Sequence, residues 1–331
     1  MSRQAQSPAP EALPVFDDVR AAARRLAPHV LRTPVLRSDA FDARTGRRVF
    51  FKCENLQHGG AFKFRGAMNA LLALPDRAAG LRLVTHSSGN HGAALALAAR
   101  AIGLTATVVM PEDSSRLKID AVRRAGADLR FCSAGMPARE AAVAQILGRE
   151  GGILVHPFDD SQVIAGQGTA ALELMTEIPA LDVVTVPVGG GGLIAGTLLA
   201  VRGMRPHCRV VGVEPERADD AYRSFRTGVR QRAEVADTIA DGLRGSIGVR
   251  NFALLRRGVN DMVTVSEEEI MQAMRIALED LQALIEPSSA VPVAALLAGR
   301  IGRPGDAVGV VISGGNVDAE TCTFLSGAEP A

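Results

Sequence analysis

The sequence predicts an α/β fold built on parallel sheets that helices cover on both faces. Short runs rich in Val, Ile, Leu and Thr alternate along the chain with longer segments of helical periodicity. Connections of about ten residues or more are what parallel strands require, since each crossover holds a helix. The hydrophobic content of 47% and the charged content of 22% are typical of a globular protein with a large core.

The predicted elements follow one another in regular order. Strands are predicted at 82–87, 105–110, 128–133, 152–157, 182–188, 209–214 and 307–313. Helices are predicted after the first strand as far as Ala101, over 114–127, from about 137, over 167–178, from about 193 and over 266–283. Ligands of such folds bind beyond the carboxyl ends of the strands, so we expect functional residues directly after strands.

The charge balance argues against a protein that binds nucleic acid or a membrane surface. The 331 residues carry 37 basic and 36 acidic side chains, for a formal net charge of +1. Binding a polyanion requires a basic face, which this mixture does not suggest. The uncharged stretch 183–201 is long enough to span a bilayer, but Pro187 and four glycines within it predict a strand, a loop and a helix instead.

Cysteine spacing points to a reduced, cytoplasmic protein. Cys53, Cys132, Cys208 and Cys322 are far apart and form no C-x-x-C pair, which argues against a zinc ribbon or a disulfide framework. Residues 1–14 are polar and proline-rich and have no apolar segment, so they are predicted to be a disordered tail rather than a signal peptide.

Four consecutive glycines (189–192) stand between a predicted strand and a predicted helix. Without Cβ atoms the backbone can approach an anion closely, and the helix N-terminus adds free N–H groups. The loop therefore predicts a phosphate site, without specifying whose phosphate. Gly190, Gly192 and Ala195 also satisfy a loose dinucleotide pattern, and Glu214 ends the next strand where a ribose-binding acid is expected, so an NAD-dependent dehydrogenase is an alternative.

A second polar turn, in THSSGNHG, follows the first predicted strand. Donor groups converge there at the start of a helix, an arrangement that suits a carboxylate or an oxyanion. The alternative is ordinary N-capping by one of the two serines. The segment contains Ser87, Ser88, Gly89, Asn90 and His91.

Lysine is scarce, which draws attention to the three that occur, Lys52, Lys63 and Lys118. Lys63 lies at the start of a predicted helix between Phe62 and Phe64. An apolar setting at a positive helix terminus favours the neutral amine, which imine chemistry requires. The alternative is a surface lysine.

Two further signals are less specific. Glu214, Asp219 and Asp220 lie close together after a strand, where hard oxygen ligands could hold Mg²⁺ or Ca²⁺. Acids that complement a helix dipole are an equal alternative. Ser313, after the last predicted strand, could hydrogen-bond a ring nitrogen or a phosphate.

Taken together, these segments resemble a known family. AFKFRGA, THSSGNHG, VIAGQGT, PVGGGGL, GVEPERADD, TIADG, EP and SGGN occur in its order. From about residue 15 to the C-terminus, the chain resembles the fold-type II pyridoxal-phosphate (PLP) enzymes of the serine/threonine dehydratase and serine racemase group, including threo-3-hydroxyaspartate dehydratases. The resemblance implies a tryptophan synthase β-like fold with two open, twisted, mostly parallel sheets flanked by helices. It also implies a small domain (81–158) inserted into a large one (15–80 and 159–331).

The resemblance assigns the residues of a cofactor site. Lys63 would bind pyridoxal 5'-phosphate as an imine and act as the base at Cα, Asn90 would bond the phenolic oxygen, and Ser313 would face the pyridine nitrogen. The cofactor-binding set is Phe62, Lys63, Asn90, Gly189, Gly190, Gly191, Gly192, Gly242, Glu286 and Ser313.

The same resemblance assigns substrate and metal residues. Ser88 would be the catalytic acid/base on the face opposite Lys63 in racemase-like members. The substrate-binding set is Ser87, Ser88, Gly89, His91 and Arg139. Mg²⁺, or Mn²⁺ or Ca²⁺ in its place, would be held by Glu214, the carbonyl of Ala218, and Asp220.

The implied activity is the dehydration of L-serine and L-threonine to pyruvate and 2-oxobutanoate with release of ammonia, together with serine racemisation. Threo-3-hydroxyaspartate ammonia-lyase activity is the alternative, since Ser88 and the acidic metal segment are typical of that branch. The segment HPFDD (156–160) varies in the family and leaves the substrate open. A cytoplasmic homodimer that acts on an amino acid is expected, without a C-terminal regulatory domain.

Overall fold

Two mostly parallel sheets form the framework of the protein. The computed structural model describes residues 12–75, 80, 82–87, 89–233, 236–318, 321 and 325. The larger sheet has six strands and the smaller has four. The α/β class predicted from the sequence is confirmed, and so is the arrangement of two open sheets.

The larger sheet is assembled from distant parts of the chain. Its edge strand at residues 35–36 is antiparallel to the neighbouring strand, and the other pairs are parallel. The last strand in the sequence lies inside the sheet. In spatial order the strands are β1 (Val35–Leu36), β2 (Arg48–Cys53), β10 (Ala307–Ile312), β7 (Val183–Pro187), β8 (Arg209–Pro215) and β9 (Asp261–Val265).

The smaller sheet is formed by a continuous part of the chain. Its strands are all parallel, and in spatial order they are β5 (Asp128–Cys132), β4 (Ala106–Pro111), β3 (Leu83–His86) and β6 (Ile153–Leu154). The predicted small domain, 81–158, encloses these four strands. The boundaries of the two domains stay a prediction.

Helices cover both sheets. The helices that precede β3 in the sequence are α1 (Phe16–Leu26), α2 (Asp39–Thr45) and α3 (Lys63–Leu72). The smaller sheet carries α4 (Asn90–Ala101), α5 (Arg116–Arg124) and α6 (Met136–Glu150). The remaining helices are α7 (Ser161–Glu177), α8 (Gly192–Met204), α9 (Asp220–Thr227), α10 (Val249–Gly258), α11 (Glu267–Leu281) and α12 (Pro287–Leu297).

The predicted elements are confirmed as strands or helices, although their ends differ by up to six residues. β6 is only two residues long, because its continuation meets Pro157, which has no N–H to donate. Helix α7 begins at Ser161 rather than 167, since the Asp160 carboxylate accepts hydrogen bonds from the N–H groups of Gln162 and Val163. The stretch 183–201 is strand, loop and helix, as predicted. In the described part of the chain, no helix is long and apolar enough to cross a bilayer.

Glycines let three helices cross at backbone contact. A Cβ on Gly166 of α7 would lie 2.7 Å from the Cα of Gly66 in α3, and one on Gly168 would lie 2.7 Å from the carbonyl oxygen of Gly196 in α8. A Cβ on Gly196 would clash in turn with the backbone of Ile164 and Gly168. This close packing fixes α3, whose first residue is Lys63, against α7, which packs in turn against α8.

A buried charge network holds the same helix from its other side. Arg65 and Glu54 have fully buried side chains, and Arg65 Nε donates to Glu54 Oε2 at 2.7 Å. The Arg65 guanidinium also donates to both oxygens of Glu173, at 2.7 and 2.9 Å. Lys52 Nζ completes the network with bonds to Glu173 at 2.6 Å and to the Thr33 carbonyl at 2.7 Å.

We expect Gly196→Ala to destabilise the protein by about 1–3 kcal/mol, because the added methyl group would overpack two helix backbones. The matched control is Gly148→Ala in α6, where a Cβ would meet nothing within 4 Å. That change should be neutral or stabilising by up to ~1 kcal/mol through higher helix propensity. Thermal unfolding of both variants measures the difference, and equal midpoints would contradict the packing argument.

Candidate active site

Lys63 lies at the first residue of α3 with its amine in a partly buried position. Its Nζ donates to the Pro157 carbonyl at 3.2 Å and lies 5.0 Å from the centre of the Phe62 ring. Burial lowers the pKa of Lys63 to about 8, although the negative charge of Glu286 opposes this shift. A substantial fraction of the amine is therefore neutral near physiological pH.

The SGGN segment pairs directly with the chain before Lys63. Phe62 N donates to the Ser313 carbonyl at 3.0 Å, and Gly315 N donates to the Gly60 carbonyl at 3.0 Å. Ala61 and Gly314 form an antiparallel bridge between these two bonds. Two motifs that are about 250 residues apart in the sequence thus meet as neighbouring strands of backbone.

The Ser313 hydroxyl is buried and lies 2.9 Å from the Ser289 hydroxyl, and either can be the donor. Ser289 also accepts a bond from Gly314 N at 2.7 Å, which fixes the position of its oxygen. Ser289 Oγ donates its one proton to the Gly314 carbonyl at 2.7 Å, so Ser313 is the donor within the pair. To donate to another acceptor, such as an unprotonated ring nitrogen, the Ser313 hydroxyl would turn away from Ser289.

Asn90 and Glu286 form the next part of the site. Asn90 Nδ2 donates to both oxygens of Glu286, at 3.1 and 3.0 Å, and Asn316 Nδ2 donates to Asn90 Oδ1 at 3.0 Å. Burial raises the pKa of Glu286, while the Asn90 hydrogen bond and the nearby lysine charges lower it. Asn316 also donates to the Gly59 carbonyl at 2.8 Å, which ties this group to the Lys63 segment.

The glycine loop connects β7 to α8 as predicted. Gly191 has a φ of 86°, in the left-handed region, and α8 begins at Gly192. The Phe158 ring packs against Gly190, at the place where a Cβ would stand, and Pro157, one residue earlier, accepts the Lys63 hydrogen bond. The loop and Lys63 are therefore brought together by this two-residue segment.

Gly242 flanks the glycine loop on another side. A Cβ on Gly189 would lie 3.2 Å from the Gly242 carbonyl oxygen and 2.9 Å from the Cα of Leu243. Gly242 N donates to Ser288 Oγ at 3.1 Å, and a Cβ on Gly242 would lie 4.0 Å from Glu286 Oε1. Gly242 thus lies between the loop and Glu286.

The turn after β3 lies at the start of α4, as predicted. Gly89 N donates to Ser87 Oγ at 3.2 Å. His91 is buried, and burial, followed by the charge of Lys63, lowers its pKa well below the usual value. Ser88 lies outside the described residues, so its predicted place opposite Lys63 stays a prediction.

Arg139 lies near His86, the last residue of β3. It lies in the first turn of α6, partly buried, and its Nε has no hydrogen-bond partner in the described part of the chain. Its charge contributes to lowering the pKa of His86 to about 4, after burial and the charge of His156. The His86 and His156 rings are 5.5 Å apart between centroids, and His156 precedes the Pro157 that contacts Lys63.

The predicted metal residues form a separate buried group. Glu214 and Asp220 are fully buried, and Ala218 is 3% exposed. Glu214 accepts hydrogen bonds from the N–H groups of Ala221 and Tyr222, and thus caps α9. Burial and then the charge of Asp220 raise the pKa of Glu214, and burial raises the pKa of Asp220 to about 6. No group of three or more His, Cys, Asp and Glu side chains placed to hold a metal occurs in the described residues.

Comparison with known proteins decides the family. Residues 26–314 match the family described as pyridoxal-phosphate dependent enzyme. The chain belongs to this family. It is 43% identical over 308 residues to a beta-hydroxyaspartate dehydratase of Paracoccus denitrificans, covering 93% of this chain and 98% of that protein. It is 44% identical over 305 residues to a serine racemase of Arabidopsis thaliana, covering 91% and 92%. The solved structure of maize serine racemase matches with a TM-score of 0.91 at 38% identity, over 94% of this chain and 96% of the other.

Because the chain belongs to the pyridoxal-phosphate dependent family, the alternative of an NAD-dependent dehydrogenase is no longer needed. Glu214, which that alternative needed as a ribose-binding acid, is fully buried and uses its oxygens to cap α9. Sequence reasoning missed the roles of Ser289, Asn316 and His156 in building the site. Asn316 ended the SGGN motif and His156 began the segment HPFDD, so both lay within segments already singled out. No sequence pattern singled out Ser289, because its contact with Ser313 depends on the tertiary fold.

We expect the Lys63 amine of the cofactor-free protein to titrate near pH 8. Only the neutral amine adds to an aldehyde, so the rate of cofactor attachment should rise about tenfold per pH unit below this value and level off above it. The rise of visible absorbance after addition of PLP measures the rate, with Lys63→Ala as the blank. A rate that continued to rise toward pH 10.5, the usual value for lysine, would contradict the effect of burial.

Proposed function

We propose that this PLP-dependent enzyme dehydrates L-serine and L-threonine to pyruvate and 2-oxobutanoate with release of ammonia, and that it racemises serine. Its family and its relatives support a lyase or racemase of hydroxy amino acids. The observation that carries the proposal is the partly buried Lys63 amine, which lies next to the glycine loop with a pKa lowered to about 8.

The residues of the site fit pyridoxal phosphate. The glycine loop at the N-terminus of α8 suits its phosphate, and the Ser313 hydroxyl suits an unprotonated ring nitrogen. Asn90 could donate to the phenolic oxygen, while the buried Glu286 fixes the orientation of its amide. When bound, the cofactor supplies an electron-withdrawing ring that stabilises negative charge at the substrate Cα.

The chain's own groups then handle the substrate and its protons. Lys63 takes the proton from Cα, which general-base catalysis accelerates by about 10²–10⁴-fold. The donors of Ser87, Gly89 and His91 bind the substrate carboxylate at the start of α4. Ser88 exchanges a proton on the opposite face of Cα, which would allow racemisation beside elimination.

Threo-3-hydroxyaspartate is the second candidate substrate, and Arg139 favours it. Arg139 is a partly buried cation whose Nε has no partner among the described residues, and it lies close to His86. A second carboxylate on the substrate would satisfy such a group through a charge-assisted hydrogen bond. The similarity to a beta-hydroxyaspartate dehydratase supports this candidate as much as the serine racemases support the first.

We also propose that Glu214, the Ala218 carbonyl and Asp220 hold Mg²⁺, or Mn²⁺ or Ca²⁺ in its place. Asp220 Oδ1 is buried without a hydrogen-bond partner in the described part of the chain. The charge of Asp220 raises the pKa of the buried Glu214, and a divalent cation between the two carboxyls would offset this repulsion. Asp220 Oδ2 accepts from Ile247 N at 2.8 Å, and Gly248 N donates to the Gly190 carbonyl, so an ion here would steady the glycine loop.

The protein is further proposed to be a cytoplasmic homodimer. Cys53, Cys132 and Cys208 are free thiols, as a reducing compartment allows. Leu31, Leu56 and Leu284 are 46%, 53% and 40% exposed, and a second copy could cover them. The predicted domain boundaries, with 81–158 inserted, belong to the same proposal.

We expect the purified protein to show a visible absorption band and to release 2-oxo acids from L-serine and L-threonine in the presence of Mg²⁺. Lys63→Ala should lose the band and lower release by at least about 10²-fold, since it removes both the attachment point and the base. Both enantiomers of serine, threonine and threo-3-hydroxyaspartate are assayed, and chiral analysis of serine measures racemisation.

The same assay distinguishes the two candidate substrates. Faster release from threo-3-hydroxyaspartate would favour the second candidate if Arg139→Met lowers it by about 10–10²-fold while serine turnover stays within about threefold. This loss corresponds to the ~1.5–3 kcal/mol that a charged hydrogen bond contributes. A colourless protein, or one that releases no 2-oxo acid from any of these substrates, would refute the proposed function.

We expect EDTA to lower the melting temperature of the holoenzyme and Mg²⁺ to restore it. Metal at about 100-fold over its dissociation constant stabilises the folded state by ~2.7 kcal/mol. Asp220→Asn should abolish this metal-dependent difference. The adjacent Asp219→Asn should retain it, because Asp219 pairs with Arg223 at 2.8 Å instead. If neither EDTA nor Mg²⁺ changes the melting temperature, the proposed metal site is refuted.

A further inference from the structure

His156 presents one ring nitrogen to the backbone and leaves the other unused. Its Nδ1 accepts hydrogen bonds from Asp159 N at 2.9 Å and from Phe158 N at 3.3 Å. A nitrogen that accepts two N–H groups cannot carry a proton, so the neutral ring carries its proton on Nε2. Nε2 has no partner within the described residues, and the side chain is partly exposed.

The ring is held in one orientation without any help from Nε2. The Phe158 ring meets it edge-on at 4.7 Å between centroids, and the His86 ring meets it edge-on at 5.5 Å. Burial lowers the pKa of His156 to about 4, and the positive charges of Lys63 and Arg250 add to this while Asp159 opposes it. The side chain is therefore a neutral donor with a fixed direction.

The backbone around His156 is fixed by two helix caps. The Asp159 carboxylate accepts from the N–H groups of Val249 and Arg250, both at 2.9 Å, at the start of α10. Asp160 caps α7 in the same way. Both acids of the segment HPFDD thus cap helices. Because each cap holds the backbone at its position, the residues just before the two acids are fixed as well.

His156 lies between the reactive amine and the substrate turn. Its neighbour Pro157 accepts the Lys63 hydrogen bond at 3.2 Å. Its other contact, His86, is the last residue of β3, directly before the turn that begins with Ser87. A substrate held by that turn with Cα beside Lys63 would bring its side chain within reach of the His156 ring.

We propose that His156 Nε2 donates a hydrogen bond to the hydroxyl group on Cβ of the substrate and assists its departure. This inference rests on the proposed function, whose elimination breaks the bond between Cβ and that hydroxyl. A preorganised donor stabilises the oxygen as it gains electron density, and loss of one such donor typically costs about 10²–10³-fold in rate. The Cβ–O bond breaks as the electron pair left at Cα forms a second bond to Cβ, and the oxygen leaves as water with the proton that Lys63 took from Cα. His156 donates a hydrogen bond throughout and retains its own proton, so no group has to reprotonate it between turnovers.

The test compares two leaving groups in His156→Asn. The asparagine oxygen can replace Nδ1 as the acceptor of the two backbone N–H groups, whereas the Nε2 donor is lost. For L-serine, we expect kcat/KM to fall by about 10²-fold. For β-chloro-L-alanine, whose chloride leaves without a hydrogen bond, kcat/KM should stay within about threefold of the wild type. His207→Asn, the same change at an exposed histidine, should alter neither.

A second variant guards against a folding defect. His156→Gln can place an amide N–H near the position of Nε2, so it should recover part of the L-serine activity lost in His156→Asn. Equal losses on both substrates in both variants, or no loss on L-serine, would overturn the inference. A wild-type protein that eliminates from neither substrate would overturn the proposed function and this inference with it.

Discussion

The double ion pair of Arg65 with Glu54 and Glu173 is the constraint on which the site depends. Burial alone would lower the pKa of Arg65, but the charges and hydrogen bonds of the two carboxylates outweigh it and raise the pKa above the usual value. Removing one partner from such a buried group typically costs ~3–5 kcal/mol. Because Arg65 lies two residues after Lys63, the network that anchors it also fixes the start of α3 and so the position of the reactive amine.

Around that anchor, the site is built from backbone contacts between distant segments. The SGGN segment pairs with the residues before Lys63, the residues after β6 contact both Lys63 and the glycine loop, and Gly242 lies against the same loop. Side chains such as Ser289 and Asn316 fix these segments rather than facing a substrate. Fixing segments in this way orients the Ser313 hydroxyl and the Asn90 amide before any ligand binds, which lowers the cost of binding.

The sequence predicted seven of the ten strands in the described part of the chain, and the glycine loop, because each of these has a local signal. β-Branched runs identify strands, and consecutive glycines before an apolar helix identify a loop that a phosphate can approach. The start of α7 was missed because residues 163–171 are all buried, so no polar face marks this part of the helix. Helix α12 was missed for a related reason, since Pro292 lies inside it and its buried face is nearly continuous. The orientation of His156 depends on caps formed with α7 and α10, and no local pattern encodes such a contact.

The buried cations make contacts that suit their type. Arg65 bridges two carboxylates, which the planar fork of a guanidinium does and a single ammonium does not. Lys52 has one carboxylate and one carbonyl to satisfy inside a fully buried space, where a compact ammonium suffices. Lys118 extends its stem past Gly89 and forms an ion pair with Asp241, next to the glycine loop. That ion pair links α5, which packs against the smaller sheet, to a residue next to the glycine loop, directly beside the turn that begins with Ser87.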